Sequence, residues 1–105
     1  MRGDIFRLRG SKAAKGHEQK GRRLAVVVQA DHFPLSTVLA APTSTSCLPL
    51  SFRPVIDVNG TPTRVMVDQL AVVDPEVRFA DKAGRVTLAE MQAIETAMRD
   101  ILDLG

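Results

Sequence analysis

Residues 24–30 read LAVVVQA and residues 37–41 read TVLAA. Both runs are short, rich in β-branched residues and apolar at nearly every position, which is the signature of central strands. Between them ADHFPLS is turn chemistry, with Asp31 and Pro34 as breakers. Working outward, residues 4–9 alternate: Asp4, Phe6 and Leu8 share one side, and Ile5, Arg7 and Arg9 the other. That period predicts a strand with Phe6 and Leu8 buried. Pro42 closes the second apolar run, and residues 43–49 read as a polar turn. Further strands are expected over 53–58, 64–68 and 70–73. The first two of these join across Asn59-Gly60, the strongest short hairpin signal, with Pro62 lengthening the loop. Asp74-Pro75-Glu76 can open a helical turn, with proline at its first position.

The C-terminal end carries the clearest single element. Thr87-Leu88-Ala89-Glu90 is a capping box, and Val86 and Met91 occupy the two staple positions around it. Leu88, Met91, Ile94, Ala97, Met98, Ile101 and Leu102 recur at helical spacing, so residues 88–103 are expected to form an amphipathic helix. Five or six short strands, a long first loop and one closing helix predict a mainly β, α+β fold: a small, strongly bent antiparallel barrel. With neither an internal repeat nor a linker, residues 1–105 read as one domain.

Composition excludes several classes. A chain of 105 residues with 45% hydrophobic and 25% charged residues fits one ordinary globular domain. Its longest apolar run, residues 24–28, is far below the ~20 residues of a spanning helix. The opening MRGDIFRLRG has no apolar signal-peptide core, so a cytoplasmic protein without membrane contact is expected. The one cysteine, Cys47, cannot make an internal disulfide, in keeping with a reducing compartment. His17 and His32 lie fifteen residues apart with no metal-ligand rhythm, so neither a metal nor another cofactor is expected.

The net charge of +2 hides a strong segregation. Residues 1–23 hold eight basic residues (Arg2, Arg7, Arg9, Lys12, Lys15, Lys20, Arg22 and Arg23) against Asp4 and Glu18, a balance of +6, and the remainder balances at −4. Such a field draws phosphates, and the plainer alternative is a solvated basic arm. Residues 10–22, GSKAAKGHEQKGR, have no apolar stripe and read as a long mobile loop of the kind that is usually functional or disordered. There is no Trp or Tyr, and Phe6, Phe33, Phe52 and Phe79 are read as core. A base-stacking sheet is therefore not expected, and charge and polar contacts must hold any RNA.

Several stretches, taken in order, resemble the MazF/PemK/Kid family of toxin endoribonucleases. They are Arg2-Gly3-Asp4-Ile5, the stretch Gly16-His17-Glu18-Gln19-Lys20-Gly21-Arg22-Arg23-Leu24-Ala25-Val26-Val27-Val28, residues 37–43 ending in Pro42-Thr43-Ser44, Val67-Asp68-Gln69-Leu70, and Gly84-Arg85-Val86 before the closing helix. The resemblance covers nearly the whole chain. It implies an SH3-like barrel with a C-terminal helix, working as a homodimer. It also implies a metal-independent, sequence-selective endoribonuclease for single-stranded RNA (mRNA, with tRNA or rRNA open), silenced by a cognate MazE-like antitoxin. Position by position, Arg23 matches the family's catalytic arginine and Thr43 its catalytic threonine. Glu18 matches an acidic loop residue tied to activity, and Gln69 a polar residue near the substrate groove. Leu24 stands where proline is usual, Ala30 where asparagine is usual, His17 where serine is more frequent, and Ala71-Val72 where Arg-Thr is common.

Metal-free RNA cleavage uses the substrate's 2′-hydroxyl as nucleophile. It needs a base for that proton, a holder for charge on the phosphoryl oxygens, and an acid for the departing 5′ oxygen. A guanidinium suits the second task because its planar fork pairs two phosphate oxygens and stays charged. Thr43 can add a hydroxyl donor, and Ser44 or Thr45 can replace it if the register slips. Glu18 is either the base or a salt-bridge anchor, and His17 is either acid–base or surface decoration. If Arg22 and Arg23 open a strand, they face opposite ways. The resemblance then favours Arg23 for catalysis, leaving Arg22 with Lys12, Lys15, Gln19, Lys20, Ser44 and Gln69 as RNA contacts. Gln69 reads alternatively as a buried amide that orders the groove, and His32 reads as structural. The competing function is a non-catalytic SH3-like-barrel toxin or RNA-binding module that acts through surface contacts with a partner.

Overall fold

The computed structural model describes residues 1–10 and 23–105. The strands are β1 (Asp4–Leu8), β2 (Leu24–Val27), β3 (Val38–Ser44), β4 (Val55–Val58), β5 (Thr61–Val65), β6 (Ala71–Val73) and β7 (Phe79–Arg85). A 3₁₀ turn (Val67–Gln69) precedes β6, and the helices are α1 (Pro75–Arg78) and α2 (Leu88–Leu102). Strand order is β4-β5-β3-β2-β1-β7, with β6 also on β3. The pairings are antiparallel, and the sheet curls into a half-barrel on which α2 packs. This is the mainly β architecture with a C-terminal helix that the sequence predicts.

The apolar runs at residues 24–30 and 37–41 become β2 and β3, and alternation along them feeds two clusters. Val26 and Ala41 point to a main core with Ile5, Ile56, Val65, Met91 and Ile94, whereas Ala25, Val27 and Ala40 pack with Phe79 on the other face. Both strands are covered on both faces, which is why they read as continuous rather than alternating. The most deeply buried side of β1 is not the predicted one. Ile5 faces the main core at 1% exposure. Phe6 and Leu8 are half-buried on the second cluster, with the Phe6 ring stacked on Phe79 at 4.6 Å. Phe52 packs against the main core, but Phe33, in the turn after β2, is exposed.

The Asn59-Gly60 hairpin forms, and more tightly than expected. Val58 pairs with Thr61, and both turn residues have positive φ (51° and 89°), the backbone that matches strand twist in a two-residue turn. Pro62 does not lengthen the loop. It pairs with Asp57 inside β5, at a non-hydrogen-bonded position that needs no N–H. β3 likewise runs through Pro42 to Ser44, where a polar turn was expected to begin. Asp74 caps α1 by accepting from the Glu76 N–H, as the Asp-Pro-Glu signal predicts.

α2 starts at the predicted capping box: the Thr87 hydroxyl accepts from Glu90 N–H, and Glu90 accepts from Thr87 N–H. The Glu90 carboxylate also accepts from Asp57 N–H at 2.8 Å, tying the β4–β5 hairpin to the helix. Met91, Ile94 and Ala97 are buried, as is the staple residue Val86. Leu88 is 76% exposed. At about 100° per residue, two successive steps of three turn Leu88 roughly 120° away from Ile94, off the buried face.

β7 is the element that the sequence pattern does not announce. Its register on β1 shifts between Ile5 and Phe6 and again between Phe6 and Leu8. Each bulge resets the alternation, so FADKAGR shows no period of two.

Candidate active site

Of the residues singled out in the sequence, Arg23, Thr43 and Ser44 lie near one another where β1 ends and β2 begins. Leu8 N–H donates to the Arg23 carbonyl at 2.8 Å, continuing the β1–β2 ladder past Arg7↔Leu24. Arg23 is exposed at this sheet end. On the other side of β2, the register with β3 runs through Ala25↔Pro42. Carried on, it sets Leu24 across from Thr43 and Arg23 across from Ser44. The Thr43 hydroxyl donates to the Leu24 carbonyl at 3.3 Å, which places β3's end beside the residue that follows Arg23.

Alternation gives Thr43 and Leu24 one face, and Ser44 and Arg23 the other. By extension of the β2–β3 register, the hydroxyl across from Arg23 is that of Ser44, with Thr43 one step on. Thr43, Ser44 and Thr45 nevertheless open together into one cleft of about 380 Å³, also lined by Arg7, Leu24, Val58, Asn59, Thr61 and Thr63. The Thr43 bond is long and weak, so its hydroxyl can turn to a ligand. The Ser44 oxygen accepts from Ser46 N–H at 3.1 Å, leaving its own O–H to donate.

Charge around the cleft is unevenly matched. Arg7 pairs with Asp81 at 2.9 Å. Arg53 holds both oxygens of Asp68, at 3.0 and 2.9 Å. Those hydrogen bonds from Arg53 hold the Asp68 carboxyl below the usual carboxylate range, against a smaller upward push from burial. Arg23 has no carboxylate within ion-pair distance among the described residues.

Gln69 closes the 3₁₀ turn beside Pro42, whose carbonyl accepts from Met66 N–H. It is exposed, so the reading of Gln69 as a buried amide does not hold. His32 is exposed in the turn after β2, its ring against Phe33. Lys12, Lys15, His17, Glu18, Gln19, Lys20 and Arg22 lie outside the described residues. Sequence reasoning missed Arg64, which β5 sets directly across from Ser44. In TPTRV, Thr63 and Val65 are buried and Arg64 is the outward residue between them, so pattern alone marks it only as surface.

Among the described residues no three His, Cys, Asp or Glu side chains gather to hold a metal ion, and no helix is long and apolar enough to cross a membrane. Cys47 is a free, half-buried thiol.

The family model for the PemK-like, MazF-like toxin of type II toxin–antitoxin systems matches residues 1–102. The chain belongs to this family. A Mycobacterium tuberculosis protein named as a candidate toxin is 38% identical to this PemK/MazF-family chain over 104 residues, covering 99% of this chain and 98% of its own. Solved structures share the fold at lower identity. An endoribonuclease in complex with its cognate antitoxin, from a mycobacterial species, superposes with a TM-score of 0.79 at 22% identity, covering 100% of this chain and 96% of the other. The MazE–MazF structure from Deinococcus radiodurans gives 0.77 at 19% identity, covering 99% and 95%.

Proposed function

We propose that this family member is a metal-independent endoribonuclease that cuts single-stranded RNA by attack of the substrate's own 2′-hydroxyl. The observation that supports this most is an exposed guanidinium, Arg23, with no carboxylate within ion-pair distance among the described residues, next to Leu24, whose carbonyl takes the Thr43 hydroxyl at a cleft that Thr43 and Ser44 line. Arg23 grips the scissile phosphodiester and steadies the charge that grows on its non-bridging oxygens. Thr43 and Ser44 add hydroxyl donors to the same oxygens. The 2′ oxygen bonds to phosphorus, the bond to the 5′ oxygen breaks and that oxygen takes a proton from solvent water, giving a 2′,3′-cyclic phosphate and a 5′-hydroxyl. Arg23 keeps its proton throughout and is not the base. The 2′ proton passes to Glu18 or His17, and Lys12, Lys15, Gln19, Lys20 and Arg22 add phosphate contacts along with Gln69.

The working unit is a homodimer, and its block is an acidic, partly disordered antitoxin segment that folds over the sheet end carrying Arg23 and Arg64. The antitoxin complexes of the two structural neighbours support the antitoxin part of this reading.

Purified protein and a mixed RNA pool in excess EDTA test the proposal. Cyclic-phosphate ends that disappear with Arg23→Ala support the nuclease. Intact RNA with tight, salt-sensitive binding overturns it in favour of a non-cutting RNA-binding module. A changed pH–rate profile in His17→Ala or Glu18→Gln assigns the base.

A further inference from the structure

The same sheet end holds a second guanidinium that this mechanism leaves idle. Arg64 pairs with Ser44 in the β3–β5 register, and the β2–β3 register, whose last pair is Ala25↔Pro42, points Arg23 toward the other side of Ser44 when extended by two residues. Opposed residues share a face and neighbouring strands lie about 4.8 Å apart. Arg64 and Ser44 are a true ladder pair, and extending the β2–β3 ladder two residues past its last pair sets Arg23, just before β2, on the opposite flank of Ser44, so two strand spacings separate the arginine backbones, about 10 Å.

Arg64 also differs from its matched neighbours. Arg53, whose carbonyl it touches, is neutralised by Asp68, whereas Arg64 has no carboxylate within ion-pair distance among the described residues. One Nη1 proton of Arg64 donates to the Arg53 carbonyl at 2.7 Å, which fixes the guanidinium at one edge and leaves its other donors for a ligand. The residue is half-buried, so its charge is only partly hydrated. An anion arriving there offsets a cost already present in the folded protein.

We propose that Arg64 is a positioning residue that holds a phosphodiester neighbouring the one cut, so that single-stranded RNA lies across β2, β3 and β5. This rests on the ribonuclease reading, and the experiment separates the two. Arg64→Gln, which keeps a donor for the Arg53 carbonyl, is compared with the unaltered chain in steady-state cleavage. The expected result is a KM about tenfold higher with kcat unchanged, the size of one lost charge-assisted contact.

Binding of short random-sequence 2′-O-methyl RNA strands is measured in parallel. The slope of log affinity against log salt is expected to become shallower by about 0.7 in Arg64→Gln and to be retained in Arg64→Lys. An unchanged KM and salt slope in Arg64→Gln, or a loss confined to kcat, overturns the assignment while leaving cleavage by Arg23 intact. If the unaltered chain cuts nothing, the ribonuclease reading falls, and the salt slope alone still decides whether Arg64 holds phosphate.

Discussion

The two ends of β1 carry the same kinds of residue and use them differently. At its start the cations are answered. Asp4, nearly buried, takes Arg85 at 2.6 Å and Lys82 at 3.1 Å. Arg2 pairs with Glu95 and donates to the Val28 carbonyl, and Asp31 accepts from Arg2 N–H at 2.8 Å. At the far end Arg7 is still matched by Asp81, but Arg23 and, on β5 across the same sheet end, Arg64 have no carboxylate within ion-pair distance among the described residues. A matched guanidinium holds the fold together, and one with no match among the described residues is available to an anion. Segregation of charge in the sequence shows where cations are concentrated, but only pairing in the fold shows which of them are already occupied.

That contrast predicts a double dissociation. The largest effect is expected from Arg23→Ala, with cleavage falling about 100- to 1000-fold, the usual loss when one donor to developing charge is removed. Its thermal unfolding midpoint should match that of the unaltered chain. A lost midpoint would move Arg23 into the structural group. Asp4→Asn should do the reverse, lowering stability by about 1–3 kcal/mol in chemical denaturation, as expected for loss of charge-assisted hydrogen bonds at a buried site. Cleavage per folded molecule should be unchanged.

Acid sharpens the same point. Burial pushes the Asp4 carboxyl up, but hydrogen bonds from Lys82 and Arg85 together outweigh it and leave the group below its ordinary value. A carboxylate depressed by folding adds stability above its unfolded pKa, and that stability is lost as pH falls through the lower folded value. Asp31, lowered by the Arg2 backbone N–H, and Asp68, lowered by Arg53, act with the same sign. Acid titration of unfolding should therefore show stability declining below the ordinary carboxylate range, with a weaker dependence in Asp4→Asn. An identical pH dependence in that variant would break the account of the matched end.

The smallest effects concern the strap between sheet and helix. Glu90→Ala removes acceptors from both Thr87 N–H and Asp57 N–H and should cost about 2 kcal/mol. Thr87→Ala should cost about 1 kcal/mol. Equal losses would mean that the Asp57 link contributes nothing.

Much of the fold was legible because its signals are local. The capping box, the Asn-Gly turn and the two β-branched runs each specify backbone geometry within a few residues. β7 was not legible, since two register shifts erase its alternation. Leu88 fits a spacing rule but not the angle that the rule stands for. The site was legible in a different way. Arg23 and Thr43 came from resemblance to a family, and their relation to Ser44 and Arg64 depends on which strands become neighbours, a long-range fact that no local pattern carries.

The claim of internal attack is tested most directly on one nucleotide. Once a cleaved position has been mapped, the same strand is resynthesised with a 2′-O-methyl group at that nucleotide alone. The account predicts binding as tight as that of the unmodified strand and no cleavage at that bond. Cleavage there at the unmodified rate would show that the nucleophile comes from elsewhere, and would contradict it.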